Sequence, residues 1–335
     1  MVNGDILSIK SIVDAYDALD SLDLRILRLV EVGHRRFEYV PLEVIVDWSK
    51  RSEELVSKSL KKLNALNLII RSKGNYTGYR LTFNGYDVLA LHTLAKRGII
   101  TKVSPTPIGV GKESDVYAGD SEGGGKLVLK FHRLGRTSFR QIRRFRNWVG
   151  NRRHITWLYE SRLSAHAEYK ALVLAHNNGL RVPMPIAVNR HTVVMKYING
   201  IQLSEVNDLE NPEETLWSII EDVRKAYRDV GIVHGDLSEF NILISLDDGE
   251  PYIIDWPQWV PRNSPGALEI LSRDIMNIVR FFVKRFHVDL DVNEVVNYVT
   301  EGVEVKEEGL EEALEELLGV KGIEELMGTD YEDEF

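Results

Sequence analysis

Cysteine is absent from the 335 residues. That excludes a disulfide scaffold, a thiol nucleophile and any Cys-ligated zinc or iron–sulfur centre. No apolar run approaches the ~18–20 residues needed to cross a bilayer. The opening residues, Met1-Val2-Asn3-Gly4-Asp5, lack both the basic flank and the apolar stretch of a signal peptide. No internal repeat is present. The expectation is a soluble, cytoplasmic protein with no membrane partner. The rest of the composition is ordinary for a globular chain, with 44% hydrophobic and 28% charged residues, and the length allows two or three domains.

The net charge of −9 conceals a segregation of charge. Residues 301–335 hold 14 acids against Lys306 and Lys321, so the remaining 300 residues sum to +3. Phe131 to Arg162 contains nine arginines and one acid, Glu160, while Lys50 to Arg80 carries eight basic residues against Glu53 and Glu54. Two basic tracts with an acidic end point to nucleic-acid contact at two places, against the plainer reading of solvated faces.

Residues 1–97 read as helices followed by a short hairpin. Leu22–Val32 is amphipathic, and Val40–Trp48 forms a second helical stretch. From Ser52 to Leu66, Val56, Leu60 and Leu63 fall on one face, with Lys58, Lys61 and Lys62 opposite. Leu68–Arg71 and Tyr79–Thr82 read as strands joined across Ser72–Gly78, and a helix over Asn84–Lys96 follows. This is a winged helix-turn-helix pattern with Ser52–Leu66 in the recognition position. Pro105 and Pro107 mark a change of register near Gly98–Pro107. Strands then precede helices to about His287, and Val288–Phe335 reads as acidic helices over Leu310–Leu318 and Ile323–Met327, with a tail.

Four pieces carry the chemistry. Gly109-Val110-Gly111-Lys112-Glu113-Ser114-Asp115-Val116-Tyr117 lies between strands. Glycines there let backbone N–H groups approach phosphate oxygens, although Ser114 stands where a third glycine is usual. Leu127–Phe131 is an apolar strand with one lysine, Lys130, which needs an anionic partner if buried; Glu168 on the downstream helix is a candidate. His234-Gly235-Asp236-Leu237-Ser238-Glu239-Phe240-Asn241 places an aspartate and an amide five apart in a loop before a strand. Asp236 suits orienting an attacking hydroxyl, and Asn241 suits a hard cation. Tyr252-Ile253-Ile254-Asp255-Trp256 ends a second strand, and a hairpin through Asp247–Glu250 would bring Asp255 beside Asn241 as a Mg²⁺ ligand. Val193–Gly200 reads as a strand breaking into a linker, where Met195 and backbone groups of Lys196 and Ile198 would hold adenine.

Together these pieces resemble the atypical RIO family of serine/threonine protein kinases, and its Rio-two subfamily in particular. The resemblance rests on Gly111–Tyr117, His234–Asn241, Ile254-Asp255-Trp256-Pro257-Gln258, the fused winged helix, Gly135–Arg140 and Trp157–Leu163, and covers about residues 5–290. It implies an α+β fold: a bilobal protein-kinase-like RIO domain over 98–287, with lobes at about 104–195 and 199–287. A winged helix-turn-helix domain over 1–97 precedes it and an acidic helical tail over 288–335 comes after it. ATP and Mg²⁺ (or Mn²⁺) are the implied cofactors. Carried over by position, Gly109, Gly111, Lys112, Ser114 and Val116 line the nucleotide, Lys130 binds phosphate, and Glu168 pairs with it. Asp236 is catalytic, while Asn241 and Asp255 hold the metal, Asp255 counting as catalytic too.

The resemblance further implies autophosphorylation and a role in maturation of the small ribosomal subunit, with pre-ribosomal rRNA and ribosomal proteins as partners. The segment 132–160 would be a flexible loop over the nucleotide. Its arginines interleave with Phe139, Phe145, Trp148 and Trp157, a composition suited to RNA. Arg140, Arg143 and Arg144, with Lys58, Lys61 and Lys62, are the expected particle contacts. Thr137 or Ser138 is the expected phosphorylation site, its phosphate meeting Arg133, Arg136 or Arg140. Nothing after Asp255 matches the Phe-Gly and Ala-Pro-Glu landmarks of ordinary protein kinases, so a conventional peptide lacks a docking platform. Two alternatives remain open: a small-molecule kinase of the aminoglycoside or choline type, which shares the same motifs, and a non-enzymatic winged-helix assembly factor.

Overall fold

The computed structural model describes residues 7–74, 76–134 and 157–318. Packing divides them into two units. The first holds 7–134, 157–162 and 189–192; the second holds 163–188 and 193–318.

The first unit begins with α1 (Ile9–Asp17), whose first turn is closed by Ser8 Oγ accepting from the Ser11 amide at 3.2 Å. This helix precedes the stretches marked by periodicity. α2 (Ser21–Gly33) starts on a reciprocal cap, in which Asp20 and Asp23 each accept from the other's amide. A two-residue strand, β1 (Val40–Pro41), leads into α3 (Leu42–Ser49) and α4 (Glu53–Ala65). On α4, Val56, Leu60 and Leu63 are fully buried, each worth about 1.5–3 kcal/mol. Lys58 and Lys61 are exposed. Lys62 departs from the expected solvent face: its Nζ donates to Asp23 Oδ2 at 2.5 Å, and Asp23 is buried. The wing is longer than the strands read from sequence. β2 (Ile69–Lys73) pairs with β3 (Thr77–Leu81) from Ile69 opposite Leu81 to Lys73 opposite Thr77. Then α5 (Phe83–Lys96) is capped by Thr82 Oγ1, which accepts from Gly85.

The same unit continues through an antiparallel meander of β4 (Lys102–Val110), β5 (Ser114–Asp120) and β6 (Lys126–His132). Pro105 and Pro107 lie within β4, where the register with β5 slips between Val103 and Gly109, because proline has no amide to give the ladder. α6 (Trp157–Asn177) is the next element.

β7 (Pro185–Asn189) and β8 (Thr192–Lys196), which belong to the second unit except for their joined ends at 189–192, are hydrogen-bonded neighbours. β9 (Gly200–Gln202) is an edge of a three-stranded sheet. α7 (Pro212–Lys225) runs into a π-helical turn that ends at Gly231. β10 (Ile232–Val233), β11 (Ile242–Ser245), β12 (Pro251–Ile253) and β13 (Val260–Pro261) come next, in sheet order β12-β11-β9 and as the pair β10-β13. α8 (Ala267–Phe286) presents Leu271, Asp274, Ile275, Ile278 and Phe282 as one buried stripe.

The stretch from Val288 contains the helix expected over Leu310–Leu318 and, before it, one over Val292–Thr300 that the acidic composition did not single out. α9 (Val292–Thr300) packs on α7 and α8 with Val295 and Val299 fully buried, and α10 (Leu310–Leu318) seats Ala313 and Leu314 beside β13. Four apolar side chains outweigh the local charge there, because the acids occupy the opposite faces. The helix expected over 323–327 and the tail beyond it lie outside the described residues.

Candidate active site

In the first unit, the turn 110–114 is closed by the Gly111 amide donating to Ser114 O at 2.8 Å. Gly111 and Lys112 are exposed at its tip, while Gly109 and Ser114 are half-buried. Strand register sets Gly109 opposite Val116, and Val116 opposite Lys130, so three strands contribute to one row. Residues opposite one another in a ladder project from the same face, which puts the Val116 and Lys130 side chains together with no side chain from Gly109. Lys130 is buried at 7% exposure, as a charged strand residue serving an anion would be.

In the second unit, the loop from His234 is held from several sides. Asp274 Oδ2 accepts from the Gly235 amide at 2.7 Å, Arg273 Nη2 donates to the Gly235 carbonyl at 2.5 Å, and Asn277 Nδ2 donates to the Leu237 carbonyl at 3.2 Å. All three residues lie within about one turn of α8. Gly235 has a φ of 85°, and a Cβ there would lie 2.3 Å from Gln258 O, so both its conformation and the close backbone approach require glycine. The Asp236 amide donates to His234 Nδ1 at 3.2 Å, which leaves His234 Nε2 to donate to Ile254 O at 3.0 Å.

Asn241 Nδ2 donates to Asp236 O at 2.7 Å, fixing the amide so that Oδ1 is its outward acceptor. Across the hairpin, Ile242 opposes Ile253 and the Ile254 amide donates to Asn241 O at 2.9 Å. Asn241 and the neighbour of Ile254, Asp255, therefore share one end of the hairpin, as the spacing of the two motifs led one to expect. Asp255 has a φ of 66°, a left-handed conformation costing an aspartate about 1–2 kcal/mol. The segment after Asp255 is clamped. Trp256 is buried, its Nε1 donating to Ile253 O and its ring 4.6 Å from that of His234; Trp259 Nε1 donates to Ala167 O. Glu168 is buried and its Oε1 accepts from the Trp256 amide at 3.3 Å, so it braces the chain just beyond Asp255.

The carboxyl of Asp236 is held above the ordinary aspartate pKa. Burial of the carboxyl is the main cause, and the negative charges of Asp255 and Asp274 add to it against the opposing pull of His234 and Arg273. Gln258 Nε2 stands 3.5 Å from Asp236 Oδ2, a contact too long to count as a strong hydrogen bond.

Among the described residues no three His, Asp or Glu side chains converge into a metal cage. The oxygens of Asn241 and Asp255 instead suit Mg²⁺, which prefers one or two protein ligands with substrate phosphates and waters completing the shell. At the end of β8, Met195 is buried and Ile198 half-buried. The Lys196 amide donates to Met184 O at 2.9 Å, so of its two backbone groups the carbonyl is the one left for a base.

The basic segment also needs revision at its ends. Arg133 and Arg162 are both 2% exposed, and Arg133 is engaged by Asp87 and Asp115, so neither serves as a surface cation and Arg133 cannot receive a phosphate. Thr137, Ser138, Arg136, Arg140, Arg143 and Arg144 lie outside the described residues. Sequence reasoning missed Arg273, Asp274 and Asn277. Asp274 had a signal: at helical spacing from Leu271 and Ile278, it is a carboxylate on an apolar stripe.

An aspartate in a braced loop, an asparagine five residues on, and an aspartate across the hairpin define a kinase-type phosphotransferase. Residues 115–295 match the RIO domain family and residues 16–97 match the Rio2 N-terminal family. Over 280 residues the chain is 41% identical to the RIO-type serine/threonine-protein kinase Rio2 of Methanocaldococcus jannaschii, covering 79% of this chain and 99% of that one. It is 39% identical over 269 residues to the serine/threonine-protein kinase rio2 of Schizosaccharomyces pombe, covering 80% and 77%. A crystal structure of the Chaetomium thermophilum Rio2 kinase in an ADP/Mg²⁺-phosphoaspartate complex superposes with a TM-score of 0.76 at 35% identity, covering 95% of each chain. The chain belongs to the RIO family of serine/threonine-protein kinases. No helix among the described residues is long and apolar enough to cross a membrane.

Proposed function

We propose that this kinase uses ATP and Mg²⁺ to phosphorylate itself and to act on a large ribonucleoprotein, the precursor of the small ribosomal subunit, in the cytoplasm. The observation that carries the chemistry is the hairpin closure that sets Asn241 beside Asp255 while Asn241 also grips the Asp236 carbonyl. Mg²⁺, when bound by Asn241 and Asp255, neutralises charge on the nucleotide phosphates. Asp236 orients the attacking hydroxyl and accepts its proton, Lys130 holds phosphate oxygens, and the turn 110–114 offers the backbone N–H groups not used in closing it.

The macromolecular substrate is supported by two features. The segment after Asp255 is pinned by Trp256 and Trp259, so it offers no extended peptide platform of the usual kind. The winged helix presents Lys58 and Lys61 on an exposed face, suited to phosphate contacts on RNA, with the arginine-rich segment as a second contact. The relative crystallised with ADP, Mg²⁺ and phosphoaspartate also favours a second reading of the same site, in which an aspartyl phosphate is formed and hydrolysed, making ATP turnover a switch.

The test is steady-state turnover of radiolabelled ATP with Mg²⁺, with and without small ribosomal subunits, using Asp236→Ala as blank. Particle-dependent phosphate release supports the switch; a labelled ribosomal protein supports the kinase reading. Label in neither, with no phosphate release above the blank, refutes both.

A further inference from the structure

The nucleotide turn in the first unit is clamped by one buried arginine. The Arg133 amide donates to Glu113 O at 2.6 Å, and Arg133 Nε donates to Asp115 Oδ2 at 3.0 Å. Ser114, between those two residues, is thereby held from both sides. The other end of the guanidinium points into the winged helix. Nη1 and Nη2 donate to Asp87 Oδ1 and Oδ2 at 2.6 and 2.8 Å, a two-pronged pairing with an α5 carboxylate. His191 Nε2 lies 2.7 Å from Asp87 Oδ1, and its ring stacks on Tyr86 at 4.6 Å. Phe83 and Phe131 lie against the guanidinium, 5.4 and 5.3 Å from its carbon. Asp87, Asp115, Arg133 and His191 are all buried.

We infer that the winged helix is a working part of the nucleotide site: Asp87, acting through Arg133, positions the phosphate turn at Glu113–Asp115. The inference rests on reading that turn as the one that holds ATP phosphates. A guanidinium with two prongs on one carboxylate has its plane fixed, so its Nε–H is aimed rather than merely attracted. In a site sealed from water that aim passes to Asp115, and the amide of the same arginine fixes Glu113. Asp87 and Arg133 are positioning residues, because neither reaches the turn's exposed tip at Gly111 and Lys112.

Adhesion between helix and sheet is a rival role, and the same unit contains its control. Glu31 of α2 makes an equally buried two-pronged pair with Arg190, through Nε to Oε1 and Nη2 to Oε2, both at 3.0 Å. That pair ends on the β7–β8 turn and makes no contact with the phosphate turn.

The experiment measures melting temperature, the Kd for MgADP and the KM and kcat for ATP in the full chain and three variants. Asp87→Asn should raise the MgADP Kd and ATP KM about tenfold while kcat at saturating ATP stays within about twofold. Asp115→Asn, which keeps the Asp87–Arg133 pair and turns the charge-assisted arm to the turn into a neutral amide contact, should do the same to a smaller degree, with a smaller loss of melting temperature. Glu31→Gln should lower the melting temperature as Asp87→Asn does and leave Kd and KM unchanged. Unaltered nucleotide affinity in a folded Asp87→Asn or Asp115→Asn chain would overturn the inference, and so would an equal rise in Glu31→Gln. If Asp87→Asn fails to fold, Asp115→Asn decides alone. Failure of the unaltered chain to bind MgADP would overturn the nucleotide reading itself and the inference with it.

Discussion

The Ile254 amide donates to the Asn241 carbonyl at 2.9 Å, and this one backbone bond brings Asn241 and Asp255 to the same end of the hairpin. It extends the β11–β12 ladder by one rung, so Asp255 leaves the sheet where Asn241 enters it. The left-handed φ of Asp255 turns its carboxylate out of strand alternation at that point.

Asp255→Asn keeps the shape and removes the charge. Turnover should fall about a hundredfold or more and the Mg²⁺ concentration needed for half-activity should rise, read from metal titrations of initial rate. Unchanged metal dependence would place the ligand elsewhere.

Asp236→Ala should separate binding from chemistry. The kcat should fall about 10²–10⁴-fold with the MgADP Kd little changed, measured by single-turnover kinetics and titration calorimetry. A weakened affinity with an intact rate per bound nucleotide would contradict the base role.

Burial and neighbouring carboxylates raise Asp236 above an ordinary aspartate, so the acid limb of kcat/KM should be displaced upward from the ordinary aspartate value, activity falling as the proton goes on. Asp274→Asn retains an oxygen for the Gly235 amide and deletes one nearby negative charge. The acid limb should then move to lower pH. A limb that stays put would show that Asp236 does not set it.

Two buried groups give stability a pH dependence of one sign. Burial lowers the His191 pKa from 6.5 to about 4 despite Asp87 beside it, so the unfolded chain takes up a proton first and stability falls as pH drops from 6.5 towards 4. Glu31, although burial alone would raise it, is pulled from 4.5 down to about 2 by Arg190 and Arg28, and its contribution disappears as pH falls from 4.5 towards 2. Unfolding free energies from urea titrations across this range should decline, by about 3 kcal/mol for the histidine step. His191→Gln should flatten the slope between pH 6.5 and 4; an unchanged slope would assign that step to another group.

Lys58 and Lys61 differ from Lys62. Reversing the charge of the first two should weaken RNA binding and reduce its salt slope by about one unit for each phosphate no longer neutralised, with ATP turnover unchanged. Lys62→Ala should chiefly lower the melting temperature, because it strips the buried Asp23 of its cation. Equal effects of all three on affinity would return Lys62 to the binding face.

The catalytic pieces were legible because their chemistry is local. Asp236 and Asn241 lie five residues apart, and Asp255 comes across a short hairpin whose turn the sequence also announces. Helix faces such as Val56, Leu60 and Leu63 were legible for the same reason, since periodicity is a short-range property. Other features depended on partners far along the chain. Nothing near Lys62 betrays Asp23, nothing near Arg133 betrays Asp87, and the acidic stretch after Val288 hid Val295 and Val299. A side chain's charge is written in the sequence, but whether it faces water or a buried counter-charge depends on which distant element packs on it. By itself the sequence determined the motifs, their order and the expected chemistry. Tertiary structure alone decided which arginines and lysines pair with buried carboxylates, and that Asp87 of α5 meets the arginine beside Glu113–Asp115, because burial and ion pairing are settled only when separate elements close over the same space.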